Sequence, residues 1–149
     1  MRTLTGLSDC QNPLMDVQEL SVEFRDSTVA LWHQAGLTRP WNAPHDDFDR
    51  ALASDSSVVL GIVLNGSVAA TAMVGHDGHR GWVYYLAVDE SMRHSGLGAM
   101  VMDAAEDWVR RSGTPKIQLM VRSNNLAAKD FYLHRDYEES DATVYGRCL

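Results

Sequence analysis

The middle of the chain alternates between short apolar runs and turn signals. Residues 58–64, 68–74 and 82–88 are rich in β-branched and aromatic side chains, and Asn65-Gly66 and Asp77-Gly78 lie between them. Asn-Gly and Asp-Gly favour the tight turns that join antiparallel strands. The pattern therefore predicts a meander of three β-strands.

Segments with apolar residues at helical spacing lie on both sides of this meander. Residues 26–36 and 46–53 precede it, and the first of these segments ends in Gly36. Residues 97–111 and 125–135 follow it as helices, a strand is predicted over 117–121, and a last strand over 142–148. The order predicts an α+β (mixed α/β) fold, with a central sheet flanked by helices.

The length and composition are those of one globular domain. The chain has 149 residues, 45% of them hydrophobic and 22% charged, which is close to ordinary values. We expect residues 1–14 to be a flexible extension and residues 15–149 to form the single domain. Because no apolar run approaches the roughly 20 residues of a membrane span and the first residues lack a signal pattern, we expect a cytoplasmic protein without a membrane partner.

The net charge and the cysteines exclude further classes of protein. A formal charge of −7 disfavours nucleic acid as a partner, although a small anion could still bind at one site. Cys10 and Cys148 stand at opposite ends of the chain, too few for a disulfide framework and without neighbours at metal-ligand spacing. We therefore expect free thiols and no metal.

A glycine-rich turn joins the third meander strand to the helix at residue 97. Gly96 and Gly98 allow close approach of a ligand to the backbone, and Arg93 adds a forked cation. Exposed amides at a helix N-terminus suit a phosphate group. The same residues could also form a plain strand-to-helix turn that binds nothing.

Two motifs together resemble a known enzyme family. Arg93-x-x-Gly96-x-Gly98 is similar to the coenzyme A signature of the GNAT N-acetyltransferase superfamily, and Asn125, Tyr132 and the turn that follows resemble its second signature. The resemblance implies a GNAT-type fold, with a mostly antiparallel mixed sheet whose strands splay at the cofactor cleft.

A closer resemblance is carried by three further segments. They are similar to the YpeA-like branch of bacterial GNAT enzymes, and they comprise residues 39–42, 77–81 and 84–86.

The resemblance also implies which residues bind acetyl-CoA. Backbone amides of the strand end would bind the pantetheine arm, and those of the loop would hold the pyrophosphate. These positions are Leu86, Ala87 and Val88 in the strand, and Arg93, His94, Ser95, Gly96, Leu97 and Gly98 in the loop. The Asn125 side chain would hydrogen-bond the cofactor, and the Tyr132 phenol, which binds the same cofactor, would be the general acid for the leaving thiolate.

The general base and the acceptor site are less determined. The strand that carries a glutamate in many family members has no carboxylate here, which leaves His79, Asp77, Tyr84 or a water chain as candidate bases. Histidine is the residue type among these that commonly serves as a base near neutral pH. The segment 76–79 could equally be a polar hairpin turn. Residues expected to contact the acceptor are Arg39, Trp41, Asn42, Tyr84 and Tyr85. The segment 39–42 could equally be a rigid connector in which Trp41 plugs the sheet edge.

The sequence thus predicts an acyl-CoA-dependent N-acyltransferase that acts on a primary amine of a small molecule or protein. The alternatives are a catalytically silent acyl-CoA-binding module and a plain interaction domain. The acceptor stays open between a polyamine, an aminoglycoside-like compound, an amino acid and a protein N-terminus, and the chain could be a monomer or a homodimer.

Overall fold

The computed structural model describes residues 15–149, which form two compact units. The first unit ends at Leu119, and the second comprises Met120–Leu149. The extension predicted for residues 1–14 lies outside the described residues. Among the described residues no helix is long and apolar enough to cross a membrane.

A single five-stranded sheet forms the centre of the first unit. Its strands follow one another in space as they do in the chain. All neighbours are antiparallel except the last pair, which is parallel. The strands are β1 (Gln18–Glu19), β2 (Ser57–Leu64), β3 (Ser67–His76), β4 (Gly81–Val88) and β5 (Ile117–Leu119). This confirms the predicted meander, which is β2 to β4, and the mixed, mostly antiparallel sheet.

The described residues contain four α-helices, three of them in the first unit. They are α1 (Arg25–Gln34), α2 (Pro44–Ala53), α3 (Leu97–Arg111) and, in the second unit, α4 (Leu126–Leu133). Two 3-10 turns, Val22–Phe24 and Glu90–Met92, precede α1 and α3. Gly36 follows α1 with a φ of 72°, so the predicted glycine stop of this helix is confirmed.

One side of the sheet is covered by α1 and α2. The Trp32 ring is fully buried and lies 6.3 Å from the Phe48 ring, which is also fully buried. Val59 and Val68 of the sheet pack into the same cluster. Burial of each large side chain contributes roughly 1.5–3 kcal/mol, so this cluster fixes both helices on the sheet.

An ion pair also joins these two helices. The Arg25 guanidinium donates to both carboxylate oxygens of Asp49, each at 2.8 Å. This two-point geometry sets the orientation of α2 relative to α1.

The opposite side of the sheet is covered by α3. Cross-strand partners share a face, and the pairs Leu60–Ala72, Ile62–Ala70 and Val74–Val83 line this one. Five apolar residues of α3 are buried, at helical spacing, namely Leu97, Val101, Met102, Ala105 and Val109. The predicted helix is confirmed, but of the apolar stripe that predicts it, Met100, Val101, Ala104, Ala105 and Trp108, only Val101 and Ala105 are fully buried.

The strand predicted over residues 142–148 is wrong. These residues are exposed, and no ladder includes them in the described part of the chain. Apart from α4, the second unit contains no regular element. A strand is stable only beside a partner that satisfies its backbone, and this short unit offers none.

Gly81 marks the closest approach of α3 to the sheet, and this generates a stability prediction. A Cβ at this position would lie 2.5 and 2.6 Å from the two methyl carbons of Val109, and a β-branched side chain cannot rotate away freely. We expect Gly81→Ala to lower the free energy of unfolding by about 1–3 kcal/mol, as measured by denaturant titration. Gly146→Ala, where a Cβ meets nothing within 4 Å, is the control, and equal stability of the two variants would contradict the packing.

Candidate active site

Strand β4 loses its neighbour on one side after its first three residues. Pairing with β5 covers only Gly81, Trp82 and Val83, opposite residues 117–119. Within the described residues, β4 has no ladder partner on this edge over residues 84–88. The predicted splay of the strands is therefore present, and it leaves backbone donors and acceptors of β4 free for another partner.

The free part of β4 begins with a β-bulge. Tyr84 pairs with Met73 and Ala87 pairs with Thr71, so that Tyr85 and Leu86 together stand opposite one residue of β3. Tyr85 has a φ of 53°, in the left-handed region that side chains with a Cβ rarely adopt. A bulge of this kind bends the strand and redirects its peptide groups.

Two side-chain contacts hold Tyr85 at the bulge. Its ring stacks on Trp32, with centroids 4.0 Å apart and planes 11° from parallel. Its hydroxyl donates to Asp47 Oδ2 at 2.7 Å, and the other oxygen of Asp47 accepts from Arg50. Burial and the bond to Asp47 raise the pKa of Tyr85 well above its usual value, so the phenol is neutral. The sequence predicts that Tyr85 contacts the acceptor, and the structure packs its partly buried ring against the core.

The loop from β4 to α3 leaves the N-terminus of α3 open. Gly96 caps the helix with a φ of 85°, no side chain caps it, and its first turn contains no acidic residue. The first amides of any helix lack intrahelical partners, and residues 93–96 are exposed. A Cβ on Gly96 would meet nothing within 4 Å. These features fit a bound pyrophosphate.

The remaining loop residues shape this turn. His94 has a φ of 63°, and the Ser95 hydroxyl donates to the carbonyl of Met92. Leu97 is buried and anchors the start of the helix, whereas Gly98 is partly exposed. The predicted positions therefore divide into exposed backbone and one buried anchor.

In the second unit, the Asn125 side chain begins α4. Its Oδ1 accepts from the amide of Ala128 at 3.1 Å, which is an N-cap. The side-chain NH₂ keeps its two donors. The predicted contact with a cofactor would therefore use these donors.

Tyr132 lies near the end of α4, between two aromatic rings. Its ring meets Phe131 edge-on at 5.0 Å and Tyr137 at 5.5 Å. Burial raises the pKa of Tyr132 to about 12, so the phenol stays protonated at neutral pH. Asp136 is the last residue of the turn that follows α4 and has a φ of 64°, a conformation that Asp tolerates better than most residues.

The β3–β4 turn places the candidate bases differently from one another. Asp77 Oδ1 accepts from the amides of His79 and Arg80 at 2.9 and 2.8 Å, and these bonds lower the pKa of Asp77, which makes it a weaker base. His79 is exposed and lies in the turn that precedes β4, six residues before the bulge at Tyr85. Its role as a base stays a prediction, and its distance from the bulge disfavours that role.

The loop between α1 and α2 divides into structural and exposed residues. The Arg39 guanidinium donates to the carbonyls of Gly36 and Thr38 at 2.9 and 2.8 Å. The backbone N–H of Asn42 donates to the carbonyl of Arg39. Trp41 is 74% exposed. Arg39 therefore closes the end of α1, and the contact of Trp41 and Asn42 with an acceptor stays a prediction.

Tyr84 is the other exposed aromatic residue expected at the acceptor site. It is 43% exposed, and its ring stacks on Trp82 with centroids 6.5 Å apart. Partial burial and the charge of Asp77 raise the pKa of Tyr84. A phenol held neutral in this way is a poor base.

Comparison with known proteins decides the family. The sequence model described as the Acetyltransferase (GNAT) family matches residues 18–137. The chain belongs to this family. It is 34% identical over 135 residues to an acetyltransferase of Pectobacterium atrosepticum, and 33% identical to an acetyltransferase of Yersinia pestis, covering 91% of this chain and 96% of each relative.

Solved structures of GNAT enzymes share the fold. The aminoglycoside N-acetyltransferase AAC(6')-Iy, in complex with a bisubstrate analogue of coenzyme A, matches with a TM-score of 0.77 at 15% identity, over 90% of this chain and 97% of its own. Glucosamine-6-phosphate N-acetyltransferase from Arabidopsis thaliana matches with a TM-score of 0.71 at 22% identity, over 89% and 97%. At these identities the likeness concerns the fold alone.

Sequence reasoning missed Asp47 in this GNAT chain. Locally, the pair Asp46-Asp47 predicts only favourable charge at the start of a helix, and both residues lie in the first turn of α2. The bond from Tyr85 to Asp47 spans 38 residues of sequence. No local pattern signals such a contact, because it depends on how α2 lies on the sheet.

The open turn at Gly96 allows a test of the predicted pyrophosphate site. Gly96→Ala adds a methyl group where the ligand would approach, so we expect affinity for acetyl-CoA to fall by roughly tenfold or more, or about 1.4 kcal/mol, by calorimetry. Gly66→Ala is the matched control, because Gly66 has a similar φ of 78° and equally open surroundings in the β2–β3 turn. Both variants should lose stability through backbone strain, and undiminished binding by Gly96→Ala would refute the site.

Proposed function

We propose that this chain transfers an acetyl group from acetyl-CoA to a primary amine by direct attack of the amine on the thioester. One observation carries the proposal: the unpaired, bulged end of β4 leads within a few residues to an uncapped helix N-terminus that carries no acidic side chain. The first offers backbone hydrogen bonds to an extended amide-containing arm, and the second offers amides and dipole to a pyrophosphate.

The backbone of residues 86–88 would bind the pantetheine arm as a neighbouring strand would. Main-chain groups of β4 that no strand uses on this edge supply the hydrogen bonds. The bulge at Tyr85 and Leu86 turns them outward. Arg93, which is exposed beside the α3 N-terminus, would add a charged contact to the phosphates.

The chemistry needs two proton movements. The amine attacks as a neutral nucleophile: its nitrogen bonds to the thioester carbonyl carbon and loses a proton to water, while the carbon–sulfur bond breaks and the departing thiolate takes a proton from water. As the family resemblance implies, Tyr132 would serve that thiolate as a neutral phenol. Its pKa of about 12 exceeds that of an ordinary thiol, about 8.5, so complete transfer is uphill. We therefore assign Tyr132 chiefly a hydrogen bond that stabilises the thiolate as it forms.

The acceptor would lie against the exposed aromatic residues. Trp41 and Tyr84 are the candidates for its walls, with Asn42 beside them. The two structural neighbours named above are enzymes for an aminoglycoside and for glucosamine-6-phosphate. An amino sugar, a polyamine, an amino acid and a protein N-terminus are therefore the amines to test. The negative net charge favours a cationic acceptor.

The wider setting is proposed on the same footing. We propose a single acetyltransferase domain over residues 15–149 in the cytoplasm, as a monomer or homodimer that needs no nucleic acid or membrane. The segments 39–42, 77–81 and 84–86 support placement in the YpeA-like branch.

The direct test is release of free thiol from acetyl-CoA in the presence of each amine. We expect at least one amine to give release above the rate of hydrolysis, with an acetylated product of the expected mass. Acetyl-CoA binding without transfer to any amine would instead indicate a silent acyl-CoA-binding module, and no effect of acetyl-CoA on the melting temperature would indicate an interaction domain.

Tyr132→Phe tests the role of the phenol. We expect turnover to fall about 10- to 100-fold with little change in acetyl-CoA affinity, because the ring and its aromatic contacts stay. Since the raised pKa keeps Tyr132 protonated, the wild-type rate should not decline between about pH 7 and about pH 9 through loss of this proton. Tyr145→Phe, at a tyrosine that is 92% exposed, is the control. Unchanged turnover in Tyr132→Phe would exclude the assignment.

A further inference from the structure

We propose that Asp47 and Tyr85 act together as positioning residues, which hold the β4 bulge in the shape that receives the thioester. The inference rests on the proposed acetyl transfer and adds a role for a carboxylate of α2, outside the strand and the loop that are assigned to acetyl-CoA. Three observations carry it: the backbone strain at Tyr85, the two contacts that restrain its ring, and the position of the bulge.

The backbone at Tyr85 does not favour its own conformation. A φ of 53° places a residue with a large side chain in the left-handed region, which glycine adopts without strain and other residues adopt rarely. Such a conformation persists when the surroundings over-determine it, and it is typical of sites where strain serves a function. The bulge therefore needs side-chain contacts to hold it.

The contacts of Tyr85 supply this restraint from two elements. The ring is stacked on Trp32 of α1, and the hydroxyl donates to Asp47 of α2. A phenylalanine would stack equally well, so the hydroxyl adds a fixed direction that stacking alone does not give. A hydrogen bond to a carboxylate is stronger than one between neutral groups.

Asp47 is itself held in place. Arg50, one turn along α2, donates to its second oxygen. The next residue, Phe48, is fully buried, and the ion pair between Arg25 and Asp49 fixes α2 on α1. The carboxylate is thus a rigid point of the first unit to which β4 is tied.

The bulge stands where register determines function. The ladder with β3 is regular up to Tyr84 and resumes at Ala87. In between, the extra residue sets which peptide groups of residues 86–88 point to the free edge of β4. If Tyr85 relaxed, these groups would turn away from the thioester, and a small misplacement of a reacting group lowers the rate severely.

The test compares binding of two ligands and turnover in three variants. Tyr85→Phe removes the hydroxyl and keeps the stacked ring, Asp47→Ala removes its acceptor, and the double variant removes both. Asp46→Ala is the matched control, because this exposed neighbour lies in the same helical turn. The ligands are acetyl-CoA and 3′-phosphoadenosine 5′-diphosphate, which carries the phosphates without the pantetheine arm.

We expect each single variant to lower the turnover of acetyl-CoA by roughly tenfold or more while affinity for 3′-phosphoadenosine 5′-diphosphate is unchanged. Because both variants break one bond, the double variant should be no worse than the poorer single variant. Asp46→Ala should match the wild type. General damage to the fold would instead weaken the binding of both ligands.

Two results would overturn the inference in distinguishable ways. If the wild type transfers acetyl groups and Tyr85→Phe does so equally well, or if the two single effects add, the positioning role is wrong and the proposed function stands. If the wild type neither binds acetyl-CoA nor releases thiol, the proposed function fails and this inference fails with it.

Discussion

The structure depends on how the hydrogen bonds of one strand are shared. β4 uses one edge along nearly its whole length for β3, and gives β5 only three residues of the other. Buried backbone groups must find partners, so the groups of an unpaired stretch inside a folded unit bind either water or a ligand. The rest of the first unit supports this arrangement, with α1 and α2 packed on one face and α3 on the other.

The two parts of the proposed binding surface differ in how they are held. The start of α3 needs little support, because glycine accepts the left-handed cap and the buried Leu97 anchors the helix. The bulge in β4 is a strained feature and is supported by α1 and α2 through Trp32 and Asp47. Binding of phosphates can therefore survive changes that misplace the thioester.

The described residues support proton transfer less well than they support binding of the cofactor. No side chain of β4 bears a carboxylate, Asp77 is committed to its turn, and His79 lies at the far end of the strand. Tyr132 has a pKa of about 12, which suits a donor that never ionises better than an acid that gives its proton away. Proximity and an oriented carbonyl would then provide most of the acceleration.

The sequence by itself determined the features that local chemistry encodes. Asn65-Gly66 and Asp77-Gly78 specify the turns of the meander, and apolar residues at helical spacing specify α3. Two glycines allow the open start of that helix. Tertiary structure decided the rest. The tail over residues 142–148 has strand-like residues and no strand, because the second unit itself provides no partner strand. The sequence predicts only that Asp47 adds charge at the start of a helix. It contacts the bulge because packing of α2 on the sheet brings its carboxylate to the Tyr85 hydroxyl. Local preferences act over a few residues, whereas ladder partners and side-chain contacts across 38 residues exist only once the helices have packed on the sheet.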